Sequence, residues 1–99
     1  MRTLLIDDKR NMPTTLTVRT YWDGIKALLE QSWDVVYLDH DLGCFKNGRE
    51  YTGYDILCWL EQHTERLPGN IVVVSANPAA RPRMEMVIRK LNQCKQPSL

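Results

Sequence analysis

The chain has 99 residues, 43% of them hydrophobic and 25% charged, the composition of one ordinary globular domain with room for a modest core. A formal net charge of +1 excludes a globally polyanion-binding surface, so any affinity for nucleic acid has to come from a local patch. MRTLLIDD is too short an apolar stretch for a signal peptide, no run reaches membrane-spanning length, and Cys44, Cys58 and Cys94 lack paired CxxC spacing; together these point to a cytoplasmic protein with reduced thiols and no membrane partner.

Thr3–Ile6 is a short apolar run that predicts a first strand, followed by a loop over Asp8–Thr15. The β-branched Leu16–Thr20 predicts a second strand, and Asp23–Gln31 a helix with Ile25, Leu28 and Leu29 on one face. Trp33–Leu38 reads as the third strand and Gly43–Tyr51 as a polar, glycine-containing loop. Thr52–His63 is a second helix, opened by Thr52 and Asp55 in capping-box spacing and carrying Ile56, Leu57 and Leu60 as its buried stripe. After a turn at Pro68-Gly69, Ile71–Val74 is the fourth strand. The last helix runs from about Ala80 to Asn92, where Met84, Val87, Ile88 and Leu91 fall at i, i+3, i+4 and i+7. These elements make a single domain over residues 1–92, with 93–99 a frayed, flexible tail.

Continuous apolar runs bounded by turn residues suit buried parallel strands, yet Asp8–Thr15 offers only eight residues for the first crossover. Eight extended residues span about 26 Å, longer than a five-residue strand of about 17 Å, so a crossover without a helix is feasible. The expected architecture is therefore an abbreviated parallel α/β sheet of about four strands that lacks its first crossover helix.

In parallel sheets ligands bind beyond the carboxyl ends of the strands. Here three strands end in chemistry-bearing residues: Asp7 and Asp8, then Asp39 and Asp41, then Ser75 and Asn77. Adjacent aspartates such as Asp7 and Asp8 also serve as caps or turn formers, but a second pair facing them is hard to justify structurally. Gathered at one edge about 5 Å apart, these carboxylates repel unless a cation neutralises them or one holds a proton. A magnesium or proton site among these acids follows as the expectation, with Asp7, Asp8 and Asp39 as the ligands if it is a metal. Asp39 can instead attack phosphorus, with Asp41 as general acid or base. Ser75, Asn77, Arg81 and Lys9 are the candidate phosphate-holding residues, with Arg83 near Arg81 at the start of the last helix. Lys9 and Arg10, directly after the first acidic pair, can reach the same place. His40 points away from Asp39 by strand alternation, His63 sits near a helix C-terminus, and Trp22, Trp33 and Trp59 read as packing residues. No DNA-binding, phosphate-loop or nucleophile-elbow motif is present.

LLIDD, VVYLDHDLG, TGYDIL and VVVSA, in that order, resemble a response-regulator receiver domain, with a flavodoxin-like fold. That resemblance implies that Asp8 and Asp39 coordinate magnesium with help from the Asp41 carbonyl, that Asp39 is the acceptor position, and that Ser75 contacts the phosphoryl group. The chain departs from receivers in lacking the first crossover helix, the fifth strand with its charge-neutralising lysine, and the last helix. LIDD-K-R-N, LDHDLG, TGYD and VSxNP are similar to a divergent group, the cyclic-phosphate processing receiver-like family of bacteria and phages. LDHDLG also resembles the Asp-x-Asp strand of haloacid-dehalogenase phosphatases, whose additional motifs 99 residues cannot contain. The expected function is a magnesium-dependent phosphoesterase or phosphotransferase that processes cyclic phosphate or phosphorylated ends of a nucleotide or RNA. Two rivals stand beside it: a non-catalytic receiver-like module phosphorylated on Asp39, and a protein that sequesters a cyclic nucleotide without cleaving it.

Overall fold

The structure, a computed structural model, describes residues 1–94. Its elements are β1 (Thr3–Ile6), β2 (Leu16–Val18), α1 (Tyr21–Glu30), β3 (Val35–Leu38), β4 (Cys44–Lys46), β5 (Arg49–Tyr51), α2 (Gly53–Gln62), a 3-10 turn (Thr64–Arg66), β6 (Asn70–Val73) and α3 (Ala80–Cys94). Four strands form one parallel sheet in the order β2-β1-β3-β6. This is the abbreviated receiver-like α/β sheet expected, and no helix intervenes between β1 and β2.

The strand order dictates where the helices lie. The connections β2→β3 and β3→β6 move in the same direction across the sheet, so right-handed crossovers put α1 and α2 on the same face. Register places Leu4, Val36 and Ile71 in one row and Ile6, Leu38 and Val73 in another on that face. These six pack with Leu28, Ile56, Leu57, Leu60, Met84 and Leu91 into a single core. At roughly 1.5–3 kcal/mol for each fully buried large side chain, that layer is the main source of stability. The connection β1→β2 moves the opposite way, which sends it across the other face. The Thr14 and Thr17 hydroxyls meet there at 3.1 Å, and Thr3 and Thr15 exchange backbone and hydroxyl bonds at 3.0 Å.

Several boundaries moved for local reasons. Thr20 accepts the Asp23 N–H at 3.1 Å and so caps α1, which starts the helix at Tyr21 and shortens β2 to Val18. Trp33 precedes β3 rather than opening it; it is buried, with its indole N–H donating to the Ala27 carbonyl at 2.9 Å. The Thr52–Asp55 box holds, the Thr52 N–H donating to the Asp55 carboxylate at 2.8 Å. The segment Gly43–Tyr51, expected as a loop, contains the antiparallel hairpin β4–β5. Asn47 at φ 53° and Gly48 at φ 76° supply the two left-handed residues of a type I′ turn. A lone hairpin is marginal in water, and this one leans on aromatic packing: the Tyr51 ring lies 5.0 Å from Tyr21 and 5.3 Å from Trp22. Trp22 is thus a half-exposed part of that cluster, while Trp59 stacks on His63 at 4.1 Å. Of the expected tail, Gln93 and Cys94 belong to α3, and 95–99 lie outside the described residues. Among the described residues no helix is long and apolar enough to cross a membrane.

Candidate metal and phosphate site

Ladder hydrogen bonds continue one residue beyond β1, β3 and β6. Asp7 N–H donates to Val18 O at 3.1 Å, Asp39 N–H to Ile6 O at 3.0 Å, and Val74 N–H to Leu38 O at 3.0 Å. Asp7, Asp39 and Val74 therefore form the next row after Ile6, Leu38 and Val73, at the carboxyl edge. One carboxylate oxygen from each of Asp7, Asp8 and Asp39 lies within 4.8 Å of the others. Such a hard-oxygen set is what a divalent cation such as magnesium takes, completing its shell with water and phosphate oxygens.

Each acid is held differently. Asp7 is buried, and its Oδ1 accepts the Lys9 and Arg10 N–H groups at 2.9 and 3.0 Å, so the capping role and the site role fall on one residue. Asp39 accepts the N–H of His40 at 2.8 Å. Burial first, and the neighbouring Asp7 carboxylate second, push the Asp39 carboxyl above the ordinary aspartate value, opposed by hydrogen bonds from His40 and Ser75. Asp41 is exposed and sits 2.8 Å from His40 Nδ1, so His40 serves the edge by orienting Asp41. Asp7, Asp8, Lys9, Arg10, Asp39 and Asp41 line one cavity of about 400 Å³.

On the β6 side of the edge the candidate residues are engaged with their own neighbours. Ser75 is buried, its hydroxyl accepts the Asn77 N–H at 3.0 Å, and it favours the charged form of the Asp39 carboxyl. The Oδ1 of Asn77, a candidate phosphate-holding residue, accepts the Ala79 and Ala80 N–H groups, each at 3.1 Å. It caps α3, and the amides that made this helix start attractive for an anion are already satisfied. Arg81, expected beside Asn77, is turned away from the acidic cavity. Its guanidinium donates to Ser75 O at 3.3 Å and lies 3.6 Å from Glu85, in a separate cavity beside Ile71, Val73 and Ile88. Arg83 leans over the Tyr54 ring at 5.7 Å. Arg19 went unnoticed in the sequence: its guanidinium donates to the Asp7 and Arg10 carbonyls at 3.2 and 2.7 Å and to Asn11 Oδ1 at 2.7 Å, clamping the loop that carries Lys9 and Arg10. The one available signal was the shortness of that crossover, which needs a tie.

A parallel sheet with its acids at the carboxyl edge and a core-facing helix on each later crossover defines a receiver-like α/β domain. The family model described as the Cyclic-phosphate processing Receiver domain matches residues 2–90 of the chain. The protein belongs to that family. No curated protein and no solved structure matches it.

Proposed function

We propose that the protein is a magnesium-dependent phosphoesterase or phosphotransferase acting on the cyclic phosphate or phosphorylated end of a nucleotide or RNA. The observation that carries this reading is the convergence of Asp7, Asp8 and Asp39 oxygens within 4.8 Å, beside a cavity also lined by Lys9, Arg10 and Asp41. Magnesium, held by these carboxylates, would neutralise phosphate oxygens and fix their orientation. Lys9 offers a mobile positive charge at the cavity wall. Asp39, backed by Ser75 and His40, orients the attacking water. Alternatively it attacks the phosphorus itself, the ring P–O bond breaking as the acyl phosphate forms, the ribose oxygen taking a proton from solvent and water then hydrolysing the acyl phosphate. Asp41, held by His40 and open to solvent, takes the proton of the attacking water as the new P–O bond forms. It returns that proton to the ribose oxygen released when the ring P–O bond breaks.

The direct test is hydrolysis of 2′,3′-cyclic nucleotides with magnesium, followed by chromatography of the monophosphate product. Asp39→Asn is expected to lower the rate by about 10²-fold or more, the loss typical of removing one group that acts on the transition state. Equal rates for the two proteins would contradict the assignment.

A further inference from the structure

Arg10 spans the row that ends the sheet. Its N–H is tied to Asp7 Oδ1 at 3.0 Å, its Nε lies 3.8 Å from Asp7 Oδ2, and its Nη1 donates to the Val74 carbonyl. Asp7 follows β1 and Val74 follows β6, with β3 between them, so the side chain bridges two strand spacings of roughly 10 Å and passes across the end of the strand that presents Asp39. Holding a flexible arginine in that reach costs side-chain entropy. Arg19 offsets part of it by clamping the loop at the Arg10 carbonyl.

We propose that Arg10 is the residue that grips and neutralises the phosphoryl group at this edge. The proposal rests on reading the acidic edge as a phosphate site. The guanidinium carries five N–H donors in a fixed fork; its anchors on Asp7 and Val74 use Nε and Nη1, and the side chain is 41% exposed. Among the described residues the cations lining this cavity are Lys9 and Arg10, because Arg81 and Arg83 are engaged elsewhere. Charge makes the same point. Four carboxylates and two cationic side chains line the cavity, so a divalent ion brings the edge to neutrality. Without Arg10 it would remain one charge negative before any phosphate arrived, and an anionic substrate would be repelled.

The experiment is calorimetric titration of beryllofluoride, a phosphoryl mimic, into the magnesium-loaded wild type, Arg10→Gln and Arg10→Lys, with magnesium alone titrated into each. Arg10→Gln is expected to weaken beryllofluoride binding by about 10- to 100-fold, the range for a hydrogen bond to a charged group, and Arg10→Lys to recover part of it. Magnesium binding should be kept or tightened, since a cation 3.8 Å from Asp7 has been removed. Unchanged beryllofluoride affinity in Arg10→Gln overturns the proposal, as does a parallel loss of magnesium binding or an absence of beryllofluoride binding by the wild type. A wild type that binds beryllofluoride but leaves 2′,3′-cyclic phosphate intact defeats the phosphoesterase reading while the binding comparison still decides Arg10.

Discussion

Gly53→Ala is expected to lose about 3 kcal/mol of stability and to distort the acidic edge with it. A Cβ at Gly53 would stand 1.9 Å from the Asp39 carbonyl oxygen and 2.9 Å from its carbon, both backbone atoms that no rotamer change can move aside. The approach is this close because the Gly53 N–H donates to the His40 carbonyl at 2.9 Å, which pins the start of α2 against the end of β3. Relief requires either α2 or the Asp39–His40 segment to shift. The first loosens the packing of Ile56, Leu57 and Leu60, and the second moves the carboxylate. Against a total of roughly 5–15 kcal/mol for a typical domain, this is a large fraction. Urea denaturation, with magnesium titration of the folded fraction, checks both halves of the expectation. Wild-type stability in Gly53→Ala would show that the contact gives way without cost.

Asp39→Asn is expected to act in two opposite directions. In the metal-free protein at neutral pH the variant should melt above the wild type. Burial and Asp7 raise the Asp39 carboxyl above its unfolded value, so across that interval the folded chain binds a proton that the unfolded chain has released. The corresponding stability is fully present below the ordinary aspartate value and is lost as pH rises through the folded one. At neutral pH the wild type thus carries an ionised, partly buried carboxylate at a cost that the amide avoids. The amide oxygen can still accept the His40 N–H, so little else is lost. With magnesium the order reverses. A ligand at 100 times its Kd stabilises by about 2.7 kcal/mol, and the variant, short of one ligand, should forgo most of this. Thermal melts with and without magnesium, run from pH 4 to pH 8, read both effects. A variant that melts below the wild type without metal, or gains as much from magnesium, would be inconsistent with strain at a cation site.

The same physics separates what the sequence showed from what it hid. Apolar runs ending in acids or a hydroxyl revealed β1, β3 and β6, and the rule that strand carboxyl ends carry the site placed Asp7, Asp8 and Asp39 together. The hairpin escapes sequence reading although Asn47-Gly48 is a strong turn signal, because its flanks, Cys44–Lys46 and Arg49–Tyr51, are only three residues each and draw their support from the distant Tyr21 and Trp22. The contacts that Asn77 and Arg81 make are hidden in the sequence for a related reason. An exposed helix N-terminus attracts an anion only while its amides are free, and Asn77 satisfies two of them. The bridge made by Arg10 is invisible in one dimension, since it depends on Asp7 and Val74 sharing a row although they lie far apart along the chain.

The proposed function requires the acidic edge to open a cyclic phosphate with the help of a divalent cation. Phosphorus NMR of a 2′,3′-cyclic nucleotide, incubated with the wild-type protein and magnesium and then with a chelator in excess, tests it most directly. The cyclic phosphate resonance is expected to give way to that of a phosphate monoester with magnesium and to persist with the chelator. A cyclic phosphate that survives in both samples, or is opened equally in both, would contradict it.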